Sequence, residues 1–213
     1  MRSIARGPAA WRAALQPPGF LYVADLIAPA EERALLAWFA RASDWSPVTF
    51  RGQTARRRVM AFGARYLTQG RRLTPAPPLP SELARYRDRM VNAACVGLGR
   101  ELVLGGALPA DFALCTALHY PPGGGIGWHV DNRAFGPTVL SLSLGAVARL
   151  QLRRADGAGG EAACFELELA PRSLFVLAGA ARASWQHRIP AVREERTSLT
   201  VRAPAAAGPA VSA

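Results

Sequence analysis

The sequence predicts a mainly β fold with flanking helices: a double-stranded β-helix, or jelly roll, with N-terminal helices packed on one face. Two patterns carry that expectation. From residue 113 the chain divides into short apolar runs at 113–120, 126–130, 138–144, 147–153, 163–169, 173–178, 184–189 and 196–202. Turn residues separate them: Pro121-Pro122-Gly123-Gly124-Gly125, Asn132 to Pro137, Asp156 to Gly160, Pro171-Arg172 and Gly179. Eight short strands at this spacing fit a closed or two-sheet antiparallel architecture. Upstream of 113 the pattern changes to helical signals. With 213 residues, half of them hydrophobic, the chain is long enough to bury one substantial core.

Taken in order, residues 1–18 read as a loosely held arm and Gly19 to Ile27 as a short apolar strand. Pro29 suits the first position of a helix. Glu31 and Glu32 favour its positive end, and Leu35, Leu36, Trp38 and Phe39 give it an apolar side. Segment 43–56 reads as irregular and basic. Val59, Met60 and Phe62 form a strand-like piece stopped by Gly63. Four prolines within 70–80 predict a loop, after which Ser81 caps a helix running to Gly97 or Gly99. Residues 19–112 thus form a support and substrate-recognition region. Residues 113–202 form the jelly-roll core of the same single domain, and the Ala/Pro/Gly-rich segment 203–213 reads as a disordered tail.

The chemistry concentrates in three places. His129-Val130-Asp131 puts an imidazole and a carboxylate two residues apart, on one face of a strand. His187 supplies a second imidazole from a distant strand. Two histidines and one carboxylate are the ligand set of a non-haem Fe(II) centre with open positions. The chain has only three histidines, and the other, His119, reads as structural or peripheral. Near the C-terminus, Arg196 and Arg202 share a strand face with Ser198 and Thr200, leaving Thr197, Leu199 and Val201 to pack. Arginine forks bind carboxylates bidentately, so two of them beside an open metal point to a dicarboxylate co-substrate.

The stretch from Tyr120 to Arg202 resembles the AlkB family of Fe(II)/2-oxoglutarate dioxygenases. The matching segments are Tyr120-Pro-Pro-Gly-Gly-Gly-Ile-Gly-Trp-His129-Val-Asp131, Ser141-Leu-Ser-Leu-Gly145, Arg172-Ser-Leu-Phe-Val-Leu-Ala-Gly179, Arg182-Ala-Ser-Trp185-Gln-His187-Arg-Ile189 and Arg196-Thr-Ser-Leu-Thr-Val-Arg202. A weaker likeness runs upstream through Arg57-Arg58-Val59 and Phe62-Gly63, closest to AlkB domains that act on tRNA. The resemblance implies that His129, Asp131 and His187 ligate Fe(II). It implies that Tyr120 and Arg196 hold the distal carboxylate of 2-oxoglutarate, with Arg202 near the metal-bound end. With O2, such an enzyme converts 2-oxoglutarate to succinate while oxidising a C–H bond. The implied outcome is demethylation or hydroxylation of a base in alkylated DNA, RNA or tRNA. A protein side chain or small metabolite is the alternative substrate, and a nucleic-acid-binding module with a vestigial metal site is the reading from another class.

Two positions depart from the family pattern. Leu118 stands where many members have an Asn that also contacts the co-substrate. Arg133 stands where repair-type members have an acid that reads the alkylated base, and a guanidinium accepts no hydrogen bond.

Charge adds a substrate argument. The formal net charge is +11, and every one of the 26 basic residues is Arg. Residues 1–110 carry +9 of that excess; residues 51–72 hold seven Arg and no acid, interleaved with Phe62 and Tyr66. Arginines with aromatics suit phosphate contact and base stacking. Arg57, Arg58, Phe62, Tyr66 and Arg133 are therefore candidate substrate contacts, with Trp45 a further stacking candidate. Trp38, Phe39 and Trp185 read as core, and Arg172 and Arg182 as partners of carboxylates. Gly123 to Gly125 lack the following helix and Lys of a phosphate loop. Cys95, Cys115 and Cys164 are dispersed and fit reduced thiols. No run is apolar enough to span a membrane, and the N-terminus lacks a signal-peptide core. The expectation is a cytoplasmic protein with a nucleic-acid partner, no membrane association and no obligate protein partner.

Overall fold

The structure, a computed structural model, describes residues 12–13, 16–50, 52–67, 72–154 and 163–205. Its strands are β1 (Arg12–Ala13), β2 (Phe20–Val23), β3 (Ser46–Phe50), β4 (Gln53–Phe62), β5 (Ala64–Leu67), β6 (Arg72–Pro75), β7 (Leu114–Tyr120), β8 (Ile126–His129), β9 (Phe135–Gly145), β10 (Ala148–Arg154), β11 (Ala163–Leu169), β12 (Leu174–Leu177), β13 (Gln186–Ile189) and β14 (Arg196–Pro204). The helices are α1 (Pro29–Arg41), α2 (Ser81–Leu98), α3 (Arg100–Leu104) and α4 (Gly179–Ala183), with one 3-10 turn at Pro109–Asp111.

Two sheets face one another. One runs β2-β12-β9-β14-β7-β4-β3 and is antiparallel throughout; the other runs β1-β11-β10-β13-β8. All eight expected strands are present, four in each sheet, as a jelly roll requires. β2, β4 and β3 widen the larger sheet, and β5 pairs with β6 as a separate hairpin.

Two-residue alternation sorts the side chains of the larger sheet. Leu140, Leu142 and Leu144 of β9, Leu174 and Val176 of β12, and Leu199 and Val201 of β14 point outward. There they meet Leu35 and Phe39 of α1 and Leu83, Tyr86, Met90 and Val91 of α2. The helices therefore cover one outer face, as their apolar sides require. The opposite face sends Val139, Phe175 and Leu177 inward, against Leu150, Leu152, Leu169, Trp185 and Ile189 from the smaller sheet and its connections.

Glu32 does more than favour the helix dipole. It is buried, accepts the Gly145 N–H at 2.8 Å and pairs with Arg172 at 3.3 Å. It thus ties α1 to the end of β9. Arg172 also pairs with Asp25, as expected of a structural arginine. Gly63 turns β4 into β5 at φ +76°, where an added Cβ would lie 2.4 Å from the Ala113 carbonyl oxygen. Only glycine fits there without a backbone shift.

Several local expectations are corrected. Segment 43–56 is not irregular: β3 and the start of β4 form a hairpin in it, because Val48 and Val59 alternate with polar residues and β4 finds β7 as a partner. The proline-rich segment 70–80 contains β6, whose Arg72 to Pro75 precede the cluster at 77–80. Ser81 is the first residue of α2 rather than its cap; Pro80 precedes it and Ser81 bonds Glu82. Arg12–Ala13 pairs in parallel with β11, so this part of the arm belongs to a sheet. β14 continues through Pro204, past the expected start of the tail at 203, because Pro204 still pairs opposite Phe135. Residues 1–11 of the arm, 206–213 of the tail, the turn at 156–160, and Arg51 and Arg71 lie outside the described residues.

The three cysteines are free, with Cys115 and Cys164 buried and Cys95 half-buried. No helix among the described residues is long and apolar enough to cross a membrane.

Replacing Leu142 by Ala should cost about 3 kcal/mol by opening a void between β9 and the helices. Chemical denaturation would show it as a lower midpoint at unchanged slope.

Candidate active site

β8 and β13 lie side by side with His129 directly opposite His187. Their rings are 4.2 Å apart between centroids. β8 ends at His129, and the chain turns so that Asp131 still reaches the same point. His129, Asp131 and His187 each offer a ligand atom, all within 4.8 Å of one another. The His129 Nδ1 contacts the Gly127 carbonyl at 2.8 Å. With Nδ1 donating there, Nε2 presents its lone pair to the shared point.

The electrostatics suit a cation. Burial alone would raise the Asp131 carboxyl, but Arg202, His187, His129 and Arg182 together hold it down at about 2. Burial, reinforced by His129, lowers His187 to about 3. The site therefore presents a carboxylate and a neutral imidazole at neutral pH, which are the states that bind metal. Arg202 contacts Asp131 Oδ1 at 3.2 Å, while Oδ2 is buried without a hydrogen-bond partner among the described residues. A buried carboxylate oxygen left in that state is costly unless something binds it. The donor set, its spacing and that orphaned oxygen fit Fe(II).

Arg182, expected to pair with a carboxylate, forms no ion pair among the described residues. Its guanidinium donates to the backbone carbonyls of Asp131 at 3.0 Å and Asn132 at 2.8 Å. It fixes the loop that carries the ligand. Asn132 in turn donates to the Tyr66 hydroxyl and caps the turn through the Ala134 N–H.

The alternation expected of β14 holds. Arg196, Ser198, Thr200 and Arg202 line the cavity with the triad, and Tyr120, Leu118, Val139, Phe175 and Ile189 complete its wall. Arg196 is 2% exposed and forms no ion pair among the described residues. Its guanidinium lies 5.1 Å from the Tyr120 ring centre and bonds Ser143 Oγ, while its Nε has no hydrogen-bond partner among the described residues. Burial lowers its pKa and raises that of Tyr120. A buried cation without a counter-ion fits an anionic ligand, and its distance along β14 from Arg202 fits one with two acidic ends. Leu118 lines this cavity, and its side chain offers no hydrogen bond there.

Of the expected substrate contacts, Arg57, Arg58, Tyr66 and Arg133 are at least partly accessible. Arg57 donates to the Gly125 carbonyl at 3.1 Å, one residue before Ile126 of the cavity wall. Arg58 donates to the Trp45 carbonyl, and Tyr66 packs on Phe135. Phe62 is not a stacking platform. It is 5% exposed and packs beneath Trp38, because its place on β4 faces the helices. Trp45 is held between Phe39 and His119, which occupies its ring. Gly123 and Gly124 donate their N–H groups to Val192 and Pro121, so they form no anion cradle.

The model of the 2OG-Fe(II) oxygenase superfamily matches residues 19–204. The chain belongs to this family. Among curated proteins, it is 30% identical over 175 residues to the tRNA (carboxymethyluridine(34)-5-O)-methyltransferase alkbh8 of Xenopus tropicalis, covering 81% of this chain and 25% of that protein. It is 27% identical over 190 residues to the alkylated DNA repair protein ALKBH8 homolog of Arabidopsis thaliana, covering 83% and 52%. The chain thus spans a quarter to a half of the length of these relatives. Among solved structures, OsALKBH1 superposes with a TM-score of 0.64 at 17% identity, over 92% of this chain and all of that one. A Pseudomonas putida prolyl-4-hydroxylase gives 0.62 at 18% identity, over 87% and 92%. The likenesses to solved structures concern the fold alone. Together with the match to the family model, the curated relatives make the chain an AlkB-type 2OG-Fe(II) oxygenase, a dioxygenase that uses Fe(II), 2-oxoglutarate and O2.

Replacing Arg196 by Gln should raise the half-saturating 2-oxoglutarate concentration by about two orders of magnitude, since a buried charged contact is lost. Titration of co-substrate into the Fe(II) protein without O2 reads this directly. In the same titration Leu118→Asn should tighten binding about fivefold by supplying one hydrogen bond.

Proposed function

We propose that this oxygenase oxidises a base of single-stranded nucleic acid, with a tRNA loop the favoured substrate. The observation that carries the reading is where the basic strand β4 meets the metal cavity. Arg57 is bonded to Gly125, and Arg56 lies against Gly123, on the loop that leads into β8 and His129. A phosphate backbone held there would put a base beside the triad. The tRNA in the name of the Xenopus relative points the same way.

The roles follow from the geometry. His129, Asp131 and His187 would hold Fe(II), and Arg202 would keep Asp131 ionised and turned toward it. Arg196 and Tyr120 would take the distal carboxylate of 2-oxoglutarate. The walls formed by Leu118, Val139, Phe175 and Ile189 exclude water from that end. When bound, the metal with its co-substrate and O2 supplies oxidation of a C–H bond, releasing succinate and CO2. Oxidation of an N-methyl carbon ends in loss of formaldehyde; a carbon substituent keeps the hydroxyl. Arg133 is exposed and donates only, so it favours a base edge rich in acceptors, such as that of a uracil-type base, over an adenine or cytosine amine.

With Fe(II), 2-oxoglutarate and O2, the protein should alter a modified nucleoside in bulk tRNA in step with succinate, and His187→Ala should abolish both. Mass spectrometry of digested nucleosides beside a succinate assay reads the two together. Succinate without any nucleoside change in tRNA or methylated single-stranded DNA would move the substrate to a protein or metabolite.

A further inference from the structure

The outer face of the five-stranded sheet carries a stack that the metal chemistry leaves unused. Trp128 of β8 lies between two guanidiniums, that of Arg153 at 4.3 Å and that of Arg188 at 4.5 Å from its ring. These residues point away from the cavity, because their neighbours His129, Leu152 and His187 point into it. Both Nε–H groups are spoken for: Arg153 donates to Gln186 at 2.8 Å and Arg188 to Gln151 at 2.5 Å. The partners are neutral amides, and neither arginine forms an ion pair among the described residues. By contrast Arg149, on the same face, is paired with Glu166 at 3.1 Å.

We propose that the Arg153–Trp128–Arg188 stack is a docking surface for the phosphodiester backbone of the nucleic-acid substrate, extending the track that begins at Arg56 and Arg57. This rests on the nucleic-acid reading of the active site. Stacking fixes the two guanidinium planes and the Gln bonds fix their rotation, so the terminal N–H edges are preorganised for phosphate oxygens. Uncompensated charge is costly to hold together on one face, and a polyanion relieves it. The location suits the role. Gly123 to Gly125, flanked by Arg56 and Arg57, run directly into β8, so a strand leaving the cavity mouth along that edge meets Trp128 within four residues of chain. β8 is also the last strand of its sheet, so nothing in that sheet covers its far side.

The test is fluorescence anisotropy of labelled single-stranded RNA, with unlabelled tRNA as competitor, across a salt series. Arg153→Gln alone should weaken binding. The Arg153→Gln/Arg188→Gln pair should weaken it about tenfold or more near 0.1 M salt, and should flatten the slope of log affinity against log salt by about 1.4, two single-strand phosphate contacts. Trp128→Leu should weaken binding while removing no charge, and Arg149→Gln should change little. Retained anaerobic binding of Fe(II) and 2-oxoglutarate by each variant shows that the core is intact. If the wild type binds RNA and every variant binds with the same affinity and slope, the surface is overturned and the substrate reading stands. If the wild type binds neither RNA nor single-stranded DNA, both fail. If polyglutamate displaces RNA as effectively as tRNA does, the face is a site for acidic protein and the proposal is overturned.

Discussion

The alternation of β14, held between β9 and β7, is the constraint on which the rest of the molecule depends. One strand serves two layers at once. Leu199 and Val201 anchor the sheet to α1 and α2, while Arg196, Ser198, Thr200 and Arg202 face the cavity. A slip of one residue would drive two guanidiniums into the helix core and four apolar or neutral groups into the site. Pairing along the full strand on both sides makes that slip expensive, so the position of the arginines is as secure as the hydrophobic core.

Charge is then distributed inside the sandwich in a way that suits ligands. Arg202 finds its counter-charge in Asp131, which leaves one carboxylate oxygen over. Among the described residues Arg196 finds no carboxylate, and it rests against an aromatic ring and a serine. Neither arrangement is a stable end state for a dry interior, where unpaired charge costs several kcal/mol. A divalent cation at the triad and an anion at Arg196 would complete both. Under the proposed assignment the triad would hold the metal and Arg196 the distal carboxylate of the co-substrate. Arg182 supports the arrangement from behind by gripping the backbone on either side of the Asp131–Asn132 bond.

Most of the jelly roll was legible because its strands have the period and turn residues that antiparallel sheets impose. The triad was legible because histidine is scarce here and the i, i+2 spacing is a strand signature. What escaped the sequence was set by partners distant in the chain. β6 hides among prolines because a hairpin needs only its own mate, β5. Phe62 lies in an arginine-rich run, yet its side of β4 is covered by α1, which no local pattern announces. Arg182 looks like a charge seeking a carboxylate and instead serves two carbonyls. The Arg153–Trp128–Arg188 stack joins three strands and has no signature in any one of them. The excess charge of the N-terminal half was visible in the sequence, whereas this stack in the C-terminal half emerges only once the sheet is assembled.

The measurement that bears most directly on this account is a crystal structure of the protein with Fe(II) and 2-oxoglutarate, grown without O2. Iron is expected on His129, Asp131 and His187, with the distal carboxylate of 2-oxoglutarate on Arg196 beside Tyr120. Iron held by any other residues, or a co-substrate whose distal carboxylate leaves Arg196 without an anion, would contradict it.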